Sequence, residues 1–224
     1  VLAMSKKTND VVITAALRTP IGTYKGSLKG LDAHKLGSIA IKEAIYKSQL
    51  KNNDVDEVIM GHVLTSGSGQ NPARQASINA GIPVSKPAHI INQVCGSGLR
   101  SVVSGYQSIS LNENKIVVAG GQESMSRAKH AIFYREDNKL SEDKLVDTMI
   151  HDGLIDYFNN YHMGVTAENV ADKYEISRNE QDVFALNSQE KTQKAINENK
   201  FYEELIKLQV TSNKKKFVFE KDEH

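Results

Sequence analysis

The stretch Ala88–Ser101 reads A-H-I-I-N-Q-V-C-G-S-G-L-R-S. It opens with an apolar, β-branched run, passes through a Gly-Ser-Gly turn and continues at helical spacing. A strand over Ala88–Val94, a sharp turn and a helix over Leu99–Leu111 make the unit from which parallel sheets are assembled. The same grammar extends to both sides. Lys115–Ala119 (K-I-V-V-A) is a further strand closed by Gly120 and Gly121, and Val55–Leu64 (V-D-E-V-I-M-G-H-V-L) is one on the other side. Val11–Ala16 (V-V-I-T-A-A) is bounded by Pro20 and Gly22 and reads as a buried strand. Between them lie a helix from Ala33 to about Leu50, with Asp32 as its cap, and one begun by Pro72 and ended by Gly81. This order predicts an α/β fold with a mostly parallel sheet and helices on both faces.

The texture changes after about Ser124, which divides the chain into a core domain at 1–124 and a largely helical loop domain at 125–224. Arg127–Lys144 has mixed charge and no period, and reads as a long excursion. Thr166 is expected to open a helix with Glu168 in its first turn. S-R-N-E at Ser177–Glu180 is a capping box before a helix of about Asn179–Asn199. The tail T-S-N-K-K-K-F-V-F-E-K-D-E-H has the pattern of a hairpin.

Composition narrows the function. Over 224 residues, 28 Lys+Arg stand against 27 Asp+Glu, a formal charge of +1. That is not the clustered positive excess of a nucleic-acid surface, so no nucleic-acid partner is expected. No apolar run approaches the roughly 18 residues of a membrane span, and the start lacks an apolar signal segment. Val1–Ala3 ahead of Met4 read as an expression remnant. A lone cysteine excludes an internal disulfide. The expectation is a cytoplasmic protein with no membrane partner.

Cys95 carries the chemistry worth weighing. At a strand end and immediately before a helix, a thiol meets the positive end of the helix dipole and free backbone N–H groups, a setting that favours the thiolate. Gly96 and Gly98 admit close approach by a substrate, and the Cys95 N–H is a candidate oxyanion donor. Placement alone leaves two readings open, a nucleophile or an inert buried cysteine. The histidines read mostly as ordinary imidazoles. His151 and His162 have no third ligand at metal spacing, so no metal site is expected. His162, with Met163 and Gly164 in Y-H-M-G, is equally compatible with a pocket lining or plain packing. Ser66–Gly69 (S-G-S-G) lacks the following G-K-[ST] of a phosphate loop.

Taken in order, R-T-P-I-G, G-x-V-L-x-x-G-x-G-Q-N-P-A-R-Q, N-Q-V-C-G-S-G-L-R-S, A-G-G-Q-E-S-M-S and D-G-L-x-D…Y-H-M-G-x-T-A-E-N-V-A resemble the thiolase family from Val11 to the end of the chain. Within it the likeness is to the biosynthetic acetyl-CoA acetyltransferases. The resemblance implies an acyltransferase that joins two acetyl-CoA into acetoacetyl-CoA and runs the reverse thiolysis. It makes Cys95 the acyl-carrying nucleophile, with its N–H in the oxyanion hole. It makes His162 and Met163 pantetheine contacts, Leu154 of D-G-L a coenzyme A contact, and Gln189 a weaker coenzyme A neighbour. Coenzyme A arrives with the substrate, so no separate cofactor is implied, and subunits are expected to form homodimers or homotetramers. F-Y-R-E-D-N-K-L-S-E is less cationic than the family's tetramerisation loop. The resemblance covers an N-terminal half. The G-H-P, N-E-A-F and C-x-G motifs of the family's C-terminal domain are absent, and that domain is expected to be missing. The other readings are a non-catalytic thiolase-like subunit, a 3-ketoacyl-CoA thiolase of broader chain length, and a ketosynthase-like condensing enzyme.

Overall fold

The structure, a computed structural model, describes residues 10–134, 145–212 and 215–223. It forms two compact units: Val1–Ala128 with Ile206–His224, and Lys129–Leu205.

The first unit is built on three parallel strands, β1 (Glu57–Gly61), β2 (Ala88–Ile91) and β3 (Val117–Gly121). Their order is β2-β1-β3, with Val58 opposite Ala88 and Val118. Alternation along the strands assigns each face to its own helices. Val58, Met60, Ala88, Ile90 and Val118 pack with α1 (Ala33–Lys47) and α2 (Pro72–Asn79) through Ile41, Ile45, Ala73 and Ala76. The other face carries α3 (Ser97–Ser110), whose Gly105 lies against Val117 and Ala119. β1 is the central strand and is buried along nearly its whole length, which explains its uninterrupted apolar run.

The α/β fold with helices flanking a parallel sheet is as expected, but one strand is not. Val11–Ala16 is in no sheet, and Val12 and Ile13 are 71% and 77% exposed. The β-branched run fixes an extended backbone, but a strand also needs a neighbouring edge, and none pairs with it among the described residues. Asp32 stands at the N-cap of α1 without capping it, because its carboxylate is taken by Arg127 at 2.9 Å and Lys35 at 3.6 Å.

The hairpin β8 (Leu208–Ser212) and β9 (Lys215–Phe219) belongs to the first unit, whereas the sequence placed all of 125–224 in the loop domain. Its Leu208, Val210 and Phe219, with Ile206 just before it, form a second core with Leu28 and the Leu36, Ile39 and Ala40 side of α1. Polar contacts then fasten Asp222 and Glu223 to the segment Arg18–Ser27. The Arg18 guanidinium grips Asp222 through two bonds of 2.7 and 2.9 Å, and the Ile21 N–H donates to the same carboxylate at 2.7 Å. Glu223 accepts from the Thr23 N–H at 2.7 Å, from the Ser27 N–H at 3.2 Å and from both hydroxyls.

The second unit contains β4 (His130–Ala131) paired with β5 (Val146–Asp147), the short helix α4 (Thr148–Gly153), and the tight hairpin β6 (Ile155–Asp156) and β7 (Tyr161–His162). Two longer helices follow, α5 (Met163–Lys173) and α6 (Arg178–Asn197). The capping box of α6 is present, with the Ser177 hydroxyl and the Glu180 carboxylate exchanging bonds with each other's backbone N–H. Most of the excursion, including 135–142 of the segment considered for tetramer formation, lies outside the described residues.

The Glu223 contacts make a pH-dependent prediction. The Ser27 hydroxyl above all, against a small burial penalty, and then the Thr23 and Ser27 N–H groups hold its carboxyl below the ordinary 4.5. A lowered folded value means stability that is complete above 4.5 and is lost as pH falls below it. Glu223→Gln should therefore cost about 1 kcal/mol at pH 7, after allowing for solvent, and much less at pH 3. Urea melts of the two proteins at both pH values check this; equal losses would show that ionisation has no part in the contact.

Candidate active site

The C-terminal ends of β1 and β3 form the seat for the turn that carries Cys95. A methyl group on Gly61 would stand 2.5 Å from the Gly98 nitrogen and 2.5 Å from the Ser97 carbonyl carbon. Gly121 lies against the Gly98 Cα in the same way, at 3.4 Å from where its own Cβ would be. The first turn of α3 therefore rests backbone to backbone on two strand ends. Ser101, fully buried one turn on, shares its hydroxyl proton between the Gly98 and Gly120 carbonyls at 2.6 and 2.7 Å.

α3 begins at Ser97, two residues earlier than its periodicity suggests, so the turn from β2 into the helix is only Asn92–Gly96. The Asn92 side chain accepts the Val94 N–H at 3.0 Å, and Gly96 and Ser97 donate back to the Gln93 and Val94 carbonyls at 3.1 Å each. Cys95 stands at the crest with a free, exposed thiol. Its N–H has no protein acceptor among the described residues. This cysteine is therefore not buried. Gly96 offers no side-chain cap to α3, so the open helix end is also free to favour negative charge.

Directly behind the seat is a polar network that sequence reasoning passed over. His62, buried in the continuation of β1, faces Glu123 at 3.2 Å through Nε2 and receives the Gln122 amide on Nδ1 at 3.3 Å. The Nε2 proton therefore points at the carboxylate. The other oxygen of Glu123 accepts the Val63 and Leu64 N–H groups at 3.0 and 3.2 Å. Burial pushes the Glu123 carboxyl up, but the His62 bond and the two N–H groups outweigh it and hold the acid below its ordinary value. A lone His in a strand pattern and an acid after a glycine pair gave no sequence signal that they would meet.

In the second unit the structure brings Leu154, His162 and Met163 together. The Met163 N–H donates to the Leu154 carbonyl at 2.8 Å, and Ile155 pairs with His162 across the β6–β7 hairpin. α5 starts at Met163 and not at Thr166, because His162 is its N-cap: Nδ1 accepts the Gly164 N–H at 3.0 Å. That bond places the ring proton on Nε2, which is left to donate outward. Glu168 accordingly falls outside the first turn. Gln189 lies exposed on α6, a separate element from this hairpin. The S-G-S-G-Q-N-P-A-R segment folds onto α2, with the Gln75 amide donating to the Ser68 and Gln70 carbonyls at 2.9 and 2.8 Å. No helix among the described residues is long and apolar enough to cross a membrane.

Gly61→Ala should cost about 3 kcal/mol, because the methyl meets backbone that has nowhere to yield. Denaturant melts give the number, and a loss under about 0.5 kcal/mol would show that α3 can lift off its seat without penalty.

Comparison with known proteins gives these units a context. The sequence pattern of the family described as "Thiolase, N-terminal domain" matches residues 11–224. An acetyl-CoA acetyltransferase of Paracoccus denitrificans is 50% identical over 213 residues, spanning 95% of this chain and 54% of its own length. A probable acetyl-CoA acetyltransferase of Escherichia coli strain K12 is 49% identical over 215 residues, spanning 96% and 55%. The cytosolic acetyl-CoA acetyltransferase of Rattus norvegicus is 46% identical over 211 residues, spanning 94% and 53%. The chain spans about half the length of the curated relatives it matches.

Proposed function

The chain belongs to the thiolase family, and from that premise we propose that it supplies the nucleophile-bearing part of an acetyl-CoA C-acetyltransferase. One observation supports this above the others: Cys95 is exposed at the crest of a strand-to-helix turn, with its own N–H unengaged beside it. The Cys95 thiolate attacks the carbonyl carbon of acetyl-CoA, and the developing oxyanion takes the Cys95 N–H. The carbon–sulfur bond to coenzyme A breaks, coenzyme A leaves as its thiolate, which takes up a proton equivalent to the one the second acetyl-CoA later gives up, and the acetyl group remains on Cys95. A second acetyl-CoA, deprotonated at its methyl, attacks this thioester; acetoacetyl-CoA forms and the Cys95 thiolate is released. The covalent intermediate divides one hard carbon–carbon step into two easier ones.

Leu154, His162 and Met163 hold the pantetheine arm in this reading. A backbone bond joins Leu154 and Met163 at the open end of the hairpin, next in sequence to His162, and apolar Leu and Met with an imidazole N–H suit an aliphatic chain interrupted by amide carbonyls. Gln189 is the weaker coenzyme A neighbour. No cofactor beyond the substrate's own coenzyme A takes part. The intact protein is a cytoplasmic homodimer or homotetramer acting on acetyl-CoA and acetoacetyl-CoA.

Among the described residues no base is hydrogen-bonded to Cys95. Members of a catalytic unit act together, so losing one costs nearly as much as losing all. The intact protein should take up radiolabel from acetyl-CoA and cleave acetoacetyl-CoA, while Cys95→Ala loses the label and at least about 10⁴-fold in rate. The 224-residue chain alone should show no thiolysis. Undiminished labelling of Cys95→Ala would end the assignment; thiolysis by the isolated chain, abolished by Cys95→Ser, would show that it furnishes its own base.

A further inference from the structure

Val94, the residue before the thiol, has φ of +47°. That left-handed backbone is unfavourable for a β-branched residue and persists only where its surroundings over-determine it. Core packing does not do so here, because Val94 is 50% exposed. Two side chains do. The Asn92 Oδ1 accepts the Val94 N–H at 3.0 Å. The Ser97 hydroxyl, on a side chain buried to 4% exposure, accepts the Gln93 N–H at 2.8 Å and donates to the Val94 carbonyl at 2.6 Å. Both peptide groups of Val94 are thus tied, one from each side. The second peptide is the one that carries the Cys95 N–H.

We propose that Asn92 and Ser97 are positioning residues that hold Val94 in its left-handed conformation and thereby fix where the Cys95 thiol and its oxyanion-binding N–H stand. This rests on the reading of Cys95 as the acetyl-carrying nucleophile. Ser97 also packs near the seat on Gly61, so a purely structural role has to be separated from a positioning one. Glycine makes the separation, because it takes positive φ without strain and needs no clamp.

The test is a double-mutant cycle on the intact protein, reading the pre-steady-state rate of Cys95 acetylation by acetyl-CoA and, in parallel, alkylation of Cys95 by iodoacetamide. Ser97→Ala should slow acetylation about 30-fold, the scale on which small misplacements of a nucleophile act. In a Val94→Gly background the same change should cost less than about 3-fold. Equal losses in both backgrounds, or no loss in either, would overturn the proposal. Should Ser97→Ala fail to fold, Asn92→Ala at an exposed position gives the same cycle, and Asn92→Asp, which keeps the acceptor, should recover most of what Asn92→Ala loses. A protein alkylated at Cys95 but never acetylated would defeat the acetyltransferase reading alone, since the cycle is still scored on alkylation.

Discussion

In the first unit the α3 N-terminus meets the ends of β1 and β3 backbone to backbone. Apolar burial holds the layers together, but burial is non-directional and would be satisfied by many placements of a helix on a sheet. What singles one out is the absence of side chains at Gly61, Gly98 and Gly121, which lets backbone touch backbone. Once the helix is seated, the chain has only Asn92–Gly96 in which to leave β2 and enter α3. The turn, its left-handed residue and the exposed thiol all follow from that short span.

The neighbouring polar network works toward the same end by a different force. Gly61 is followed at once by His62, and Gly121 by Gln122 and Glu123, so the residues that lock the two strand ends together adjoin the residues that seat the helix. Because Glu123 also takes the Val63 and Leu64 N–H groups, a single carboxylate ties β3 to the chain leaving β1. The cost of burying that charge is offset by three hydrogen bonds, the condition under which a buried ion stabilises a structure.

Much of this was legible in the sequence because it rests on local pattern. The apolar run around Val58, the Pro72 helix start, the capping box at Ser177 and the strand–turn–helix placement of Cys95 each depend on residues close in sequence. What stayed hidden depends on partners far away. Val11–Ala16 has every strand propensity yet pairs with nothing described, and Asp32 looks like a cap until Arg127 takes it. His162 was singled out for the residues beside it, but its place as the N-cap of α5 needed the geometry of the β6–β7 hairpin. Nothing in G-S-G shows that the Ser97 hydroxyl faces backward over the turn.

The fastening of Asp222 and Glu223 to Arg18–Ser27 bears on how the molecule comes into being. Partners separated by 204 positions cannot meet until the segment between them has left the ribosome. At about 5 to 20 residues per second, the Arg18 region waits about 10 to 40 s for its mate. Throughout that time the Leu28 core lacks the hairpin that completes it, while the β1–β2–β3 layer, whose contacts are far more local, is free to form. The nucleophile's turn thus rests on elements close together in sequence, whereas the Leu28 core needs a hairpin that comes much later in the chain.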